Sequence, residues 1–152
     1  MESLIDLVSR ECRLLTEFVA LLGDEEQALV AGDTEALAKV TPRKTEIVSR
    51  LNQIADLRNR NMRASGLPAD TAGLESWRQR DSSSASAADQ LITLAGQARE
   101  RNRVNGQLIA LHLQKTQEAL AALTGGDARR QTYGRDGQTE PAKTGYRLID
   151  SA

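Results

Sequence analysis

Two stretches of the chain repeat their apolar residues at every seventh position, and this repeat constrains the fold more than any other feature. The first stretch has two adjacent rows: Leu7, Leu14, Leu21 and Ala28 beside Val8, Leu15, Leu22 and Leu29. The second has Val40, Ile47 and Ile54 beside Val48, Ala55 and Met62. Such rows lie side by side on one face of an α-helix, whereas a half-buried strand alternates at every second residue. The sequence therefore predicts amphipathic helices over about 3–31 and 33–64.

The junction between these helices is a short turn at Gly32 and Asp33. Glycine tolerates the left-handed conformation that ends a helix, and an aspartate can cap the free amides of the next one. A turn this short makes the two helices fold back on each other as an antiparallel hairpin. Pro42 falls inside the second helix, where we expect a kink or a short break.

Charged residues interrupt the apolar rows at Glu11 and Glu25 in the first helix and at Lys44 and Arg58 in the second. One antiparallel register places Glu25 near Lys44 and Glu11 near Arg58, and we predict these two ion pairs. The same register sets four apolar pairs together, namely Leu29 with Val40, Leu22 with Ile47, Phe18 with Leu51 and Leu15 with Ile54. The ion pairs would act mainly by rejecting other registers.

A third helix is predicted over about 87–124, before Gly125 and Gly126. Upstream of it, Leu74, Trp77 and Arg78 allow a short helix, and the serine-rich run 82–86 reads as a linker or as the start of the third helix. The remaining residues contain several glycines and few apolar side chains. The predicted fold is therefore all-α: an antiparallel helical hairpin plus a long third helix in a coiled-coil-like bundle over 1–124, with a flexible tail over 125–152.

Composition excludes several classes of function. Charges are nearly balanced at a net -1, which argues against nucleic acid as the main partner. No stretch approaches the roughly 20 apolar residues of a membrane span, and the N-terminus does not resemble a signal peptide, so we expect a cytoplasmic protein that is not membrane-embedded. With one histidine and one cysteine, Cys12, the sequence indicates no metal site and no cofactor.

Two residues invite a functional interpretation that the sequence does not favour. His112 could accept a phosphoryl group on a helical bundle, but its neighbours fit that pattern poorly, and we expect no enzyme activity. Trp77 could anchor a partner, although a lid over one end of the bundle is the favoured role.

The third helix has more apolar surface than one packed face requires. Ile109, Leu113 and Leu120 lie on one flank, while Leu108, Leu111 and Ala122 form a surplus flank without an intramolecular partner. That surplus could face a client helix or a second copy in a homodimer, or a long loop could cover it. In the polar middle of the helix, Asn102, Asn105 and Gly106 could specify a partner or serve only the bundle.

The order of these features resembles the FlgN family of flagellar type III export chaperones. The second helix opens with Asp33-Thr34-Glu35-Ala36-Leu37, and the third carries Asn-x-x-Asn-Gly over residues 102–106, followed by Leu108-Ile109. The tail carries Tyr133-Gly134-Arg135-Asp136-Gly137. The Asn-Gly motif and the tail motif, in this order, are the more specific part of the resemblance.

This resemblance implies a chaperone that binds hook–filament junction proteins of the FlgK and FlgL type, prevents their premature assembly and delivers them to an export gate of the FlhA type. It implies client binding through the third helix and the tail, for which the candidates are Asn102, Asn105, Gly106, Leu108, Leu111, Leu148 and Ile149. It also implies gate docking through a tail tyrosine, Tyr133 or Tyr146. The alternative is a generic helical adaptor or coiled-coil protein without a role in secretion.

Overall fold

The computed structural model describes residues 2–125 of the chain. In this part the chain forms four α-helices and no strand: α1 (Leu4–Ala31), α2 (Thr34–Ala64), α3 (Thr71–Arg78) and α4 (Ser82–Leu123). The all-α prediction is therefore confirmed. Residues 126–152 of the predicted flexible tail lie outside the described residues, and so do four candidate site residues: Tyr133, Tyr146, Leu148 and Ile149.

The hairpin turn forms with the predicted chemistry. Gly32 has a φ of 65°, in the left-handed region, and its backbone amide donates to the Leu29 carbonyl. Asp33 then caps α2, because its Oδ1 accepts a hydrogen bond of 3.0 Å from the Ala36 amide. Since two residues separate the helices, α2 returns antiparallel along α1.

α1 is the central helix, because it packs against both α2 and α4. The first turn of α1 lies beside Trp77 and Arg80, where α4 is about to begin. Near the other end, the Asn105 side chain of α4 meets the Leu22 carbonyl of α1. α4 therefore runs parallel to α1, and the short α3 makes the connection across the end of the bundle.

The hairpin adopts the predicted register. The Lys44 ammonium lies 2.9 Å from the Glu25 carboxylate, and Arg58 Nε lies 2.6 Å from Glu11 Oε2. Glu11 and Arg58 are 0% and 1% exposed, so this pair is fully enclosed by the helices. Burial raises the pKa of the Glu11 carboxyl above its usual value, and the positive charge of Arg58 opposes this shift.

α2 runs without interruption through Pro42, so the predicted alternative of a short break is wrong. Proline removes one backbone donor, which leaves the carbonyl of the preceding turn without its helical partner. Pro42 and Ala38 are both exposed, and water can therefore satisfy that carbonyl without breaking the helix.

The region between α2 and α4 is more ordered than a linker. α4 begins at Ser82, five residues before the predicted start, because Asp81 Oδ1 accepts a hydrogen bond of 2.7 Å from the Ser84 amide. Of the two interpretations of the serine run, the helix start is thus the correct one. Trp77 is buried and belongs to the same hydrophobic cluster as Leu74 and Met62, which agrees with its predicted role as a lid.

The buried ion pair makes a testable contribution to stability. Replacing Arg58 with Ala leaves the Glu11 charge enclosed without a partner, which should lower the free energy of unfolding by about 3–5 kcal/mol. Arg103 offers the matched control, since its pair with Glu100 has side chains 54% and 63% exposed. Arg103→Ala should cost less than about 1 kcal/mol. Urea denaturation followed by circular dichroism measures both, and equal losses would contradict a structural role for the buried pair.

Candidate protein-binding surface

α4 is much longer than the helix on which it packs. It has 42 residues against 28 in α1, so the two lengths are roughly 63 Å and 42 Å. From the level of the Asn105–Leu22 contact, α1 continues to Ala31 and α4 continues to Leu123. The last part of α4 therefore extends about two and a half turns beyond the end of α1.

The apolar face of α4 is buried in its first half and exposed in its second. Leu91, Ala95 and Ala98 are buried against the hairpin. The same face continues, at helical spacing, with residues that are 48% to 84% exposed: Ile109, Leu113, Leu120 and Leu123. We name these four residues the distal stripe. Leu120 and Leu123 are exposed because they lie beyond the end of α1, whereas Ile109 and Leu113 lie level with its last two turns. The spacing of the apolar residues does not change along this face.

The opposite flank of α4, which the sequence singles out as surplus, is also uncovered in part. Leu111 is 46% exposed and Ala122 is exposed, while Leu108 is half-buried. Sequence reasoning treats Ile109, Leu113 and Leu120 as the packed flank and therefore misses the distal stripe. The predicted helix lengths could have revealed the exposed stripe, since the predicted third helix is longer than either helix of the hairpin.

The distal stripe begins in an open groove of about 570 Å³ at the tip of the hairpin. The groove lies between the end of α1, the start of α2 and α4, and its lining combines apolar side chains with the Glu25–Lys44 pair. The residues that line it are Glu25, Leu29, Gly32, Thr34, Leu37, Thr41, Lys44, Ile109, His112 and Thr116. His112 is half-buried on one wall of this groove.

Asn105 serves the intramolecular seam, which is one of the two roles that the sequence leaves open. It is 0% exposed, and its side-chain amide donates a hydrogen bond of 2.9 Å to the Leu22 carbonyl. Its Oδ1 atom is buried and accepts no hydrogen bond from the part of the chain that is described. Asn102 is half-buried. At the exposed Gly106, a Cβ would meet no atom within 4 Å, so no neighbour in residues 2–125 requires glycine there.

Other kinds of site find no support in the residues described. Within 2–125 no three histidine, cysteine, aspartate or glutamate side chains come together as a metal site would require. None of the four helices has a stretch apolar and long enough to traverse a bilayer. Cys12 is buried, and burial together with the nearby Glu11 charge raises the pKa of its thiol to about 11. A thiol with this pKa stays protonated near neutrality and is a poor nucleophile.

Comparison with known proteins decides the family. A family model described as FlgN protein matches residues 1–141. The chain belongs to the FlgN family. This confirms the resemblance drawn from the sequence motifs, and it gives the chain a role as a flagellar chaperone.

The fold of this FlgN-family chain also resembles a solved structure. A crystal structure of a Pseudomonas aeruginosa protein, assigned to flagella synthesis as FlgN, superposes with a TM-score of 0.62 at 22% identity. The match covers 72% of this chain and 90% of that chain. At this identity the likeness concerns the fold alone. No curated protein matches the chain.

The position of Asn105 gives a prediction that separates packing from binding. Asn105→Ala removes the buried hydrogen bond to the Leu22 carbonyl and should lower the free energy of unfolding by about 1–2 kcal/mol. Asn102→Ala, one turn earlier and half-buried, should change it by no more than about 0.5 kcal/mol. Thermal and urea denaturation of both variants measure this difference. A neutral Asn105→Ala would show that the seam does not depend on this residue.

Proposed function

We propose that this FlgN-family protein is a cytoplasmic chaperone that binds hook–filament junction proteins, prevents their premature assembly and delivers them to the flagellar type III export gate. One observation carries the proposal. The distal stripe offers four large apolar side chains at helical spacing, and the described part of the chain does not cover them. Family membership supplies the flagellar context, and the stripe supplies the means of binding.

The distal stripe has the character of a helix-binding surface. Single exposed leucines are common on protein surfaces, but Leu113, Leu120 and Leu123 share one face with Ile109 and form a continuous stripe. An amphipathic client helix can bury its own apolar face against such a stripe, as in helix-in-groove recognition. The groove at the hairpin tip would hold one end of that helix, because Ile109 belongs to both features.

The remaining candidate residues receive distinct proposed roles. Leu108, Leu111 and Gly106 would extend the client contact around α4, and Leu148 and Ile149 would close on the client from the tail. A segment that orders only on binding loses conformational entropy, which keeps affinity moderate. Moderate affinity suits a complex that must release its client at the gate, where Tyr133 or Tyr146 would dock.

Co-purification from flagellated cells tests the proposal directly. The tagged full-length chain should capture junction proteins as its main partners, identified by mass spectrometry. A generic helical adaptor would instead return other proteins, with junction proteins no more abundant than in a mock purification. That result would overturn the proposal while leaving the family assignment intact.

Substitutions in the distal stripe should separate binding from folding. Leu113→Ala combined with Leu120→Ala should weaken client binding by on the order of tenfold, because both side chains are exposed and available to a partner. The free energy of unfolding should change by less than about 1 kcal/mol. Isothermal titration calorimetry with purified client and urea denaturation measure the two effects.

Two matched variants control this experiment. Leu91→Ala, on the same helix but 0% exposed, should instead cost about 2–5 kcal/mol of stability. Leu108→Ala combined with Leu111→Ala tests the other flank, and a larger loss of binding there would move the client contact from the stripe to that flank. Unchanged binding in both double variants would remove α4 from the client site.

Removal of residues 125–152 tests the tail. Because α1 to α4 contain the whole described core, the truncated chain should keep its helical circular dichroism signal and its melting temperature within a few degrees. Client affinity should fall, since Leu148 and Ile149 are lost. Cooperative unfolding of the truncated chain would contradict this division between bundle and tail.

A further inference from the structure

A separate groove follows the seam between α1 and α2, and α3 and α4 contribute no residue to it. Its volume is about 340 Å³. Each helix of the hairpin supplies four lining residues at i, i+3, i+4 and i+7: Arg10, Arg13, Leu14 and Glu17 from α1, and Arg50, Gln53, Ile54 and Leu57 from α2. We name it the arginine groove. It does not overlap the distal stripe, which lies entirely on α4.

The floor of the arginine groove is apolar and its rim is basic. Ile54 is buried at the bottom, Leu14 is half-buried, and Leu57 is 44% exposed. The lining contains three guanidinium groups and one carboxylate. Arg10 pairs with Glu2 at 2.7 Å, whereas Arg13 and Arg50 form no ion pair with any residue in 2–125. Within the part of the chain that is described, these two positive charges at the rim therefore have no carboxylate partner.

The groove continues toward the N-terminal end of α1. Leu57 also lines a second depression, of about 290 Å³, together with Leu7, Arg60 and Ala64. From Arg50 to Ala64 the combined surface follows α2 for roughly 21 Å, which matches about four turns of a docked helix. Arg60 adds a further guanidinium group along this path, and Glu2, which pairs with Arg10, adds a carboxylate.

We propose that the arginine groove binds an acidic amphipathic helix of a partner protein. The i, i+3, i+4 and i+7 residues of α1 lie beside those of α2, and the groove between these two rows can accept a third helix. The apolar stripe of that helix would pack on Leu14, Ile54 and Leu57, and carboxylates beside the stripe would meet Arg13 and Arg50. A nucleic acid would leave the apolar floor unused, and the net charge of -1 gives the chain no general attraction for phosphate.

This surface goes beyond the proposed chaperone function, because it is independent of α4. A client on the distal stripe and an acidic helix in the arginine groove could occupy the chain together. The molecule would then connect two proteins without either one displacing the other.

Fluorescence anisotropy with the full-length chain tests the proposal, using three labelled synthetic peptides of about four helical turns. The first carries leucines at i, i+3, i+4 and i+7 flanked by glutamates. The second has the same composition in scrambled order, and the third keeps the leucines but replaces glutamate with lysine. The first peptide should bind on the order of tenfold more tightly than either control, and its binding should weaken with added salt.

Matched charge reversals locate the site. Arg13→Glu combined with Arg50→Glu should reduce binding of the acidic peptide by on the order of tenfold. Arg43→Glu combined with Arg63→Glu alters two exposed arginines of α2 outside the groove and changes the net charge equally, so this variant should retain most of the binding. Leu57→Ser should also weaken peptide binding, because it removes an apolar side chain from the floor of the arginine groove. Circular dichroism confirms that each variant is folded.

Four outcomes would overturn the proposal. The scrambled peptide could bind as tightly as the amphipathic one, or both charge reversals could reduce binding equally, which would indicate attraction without a groove. Transfer RNA or anionic vesicles could bind where the acidic peptide does not. Loss of peptide binding in the Leu113→Ala and Leu120→Ala double variant would place the peptide on α4. Failure of the chain to capture junction proteins from cells, by contrast, bears only on the proposed chaperone function.

Discussion

The buried pair between Glu11 and Arg58 holds the hairpin in one register, and the remaining geometry depends on that register. A shift of α2 by one heptad that brought Leu51 opposite Glu11 would leave both charges enclosed without partners. Removing a partner from a buried charge costs several kcal/mol, so the shifted hairpin is strongly disfavoured. The pair itself is expensive to bury, as the raised pKa of Glu11 indicates. Its contribution is therefore specificity of packing more than net stability.

Register and turn position together decide which apolar surface stays uncovered. The hairpin ends at Gly32, and α4, which runs parallel to α1, continues beyond that level. The apolar face of α4 keeps its spacing past that level, and the last two residues of the distal stripe, Leu120 and Leu123, lie beyond the end of α1. On the hairpin itself, α4 leaves one seam open, which produces the arginine groove. The two surfaces differ in chemistry, since one is almost wholly apolar and the other has a basic rim.

Much of the fold could be predicted from local patterns. Heptad spacing identified the helices, Gly32 and Asp33 identified the turn, and the matching of two acidic with two basic interruptions identified the register. The candidate site was predicted less well. Asn105, a candidate for client contact, is buried and bonded to Leu22, and Ile109, Leu113 and Leu120, assigned to the packed flank, are exposed. Spacing cannot make these distinctions, because a helix face has the same pattern whether or not a neighbour covers it.

The sequence by itself determined the helical class, the hairpin and its register. Apolar spacing, capping residues and complementary charges can all be located from positions along the chain once the helical repeat is known. Only the tertiary structure decided the full burial of Glu11 and Arg58 and the exposure of the distal stripe. Each of these depends on how far one helix covers the face of another. That relation is set by packing in three dimensions, in which a short α3 places the start of α4 beside the start of α1 and leaves its far end without a neighbour.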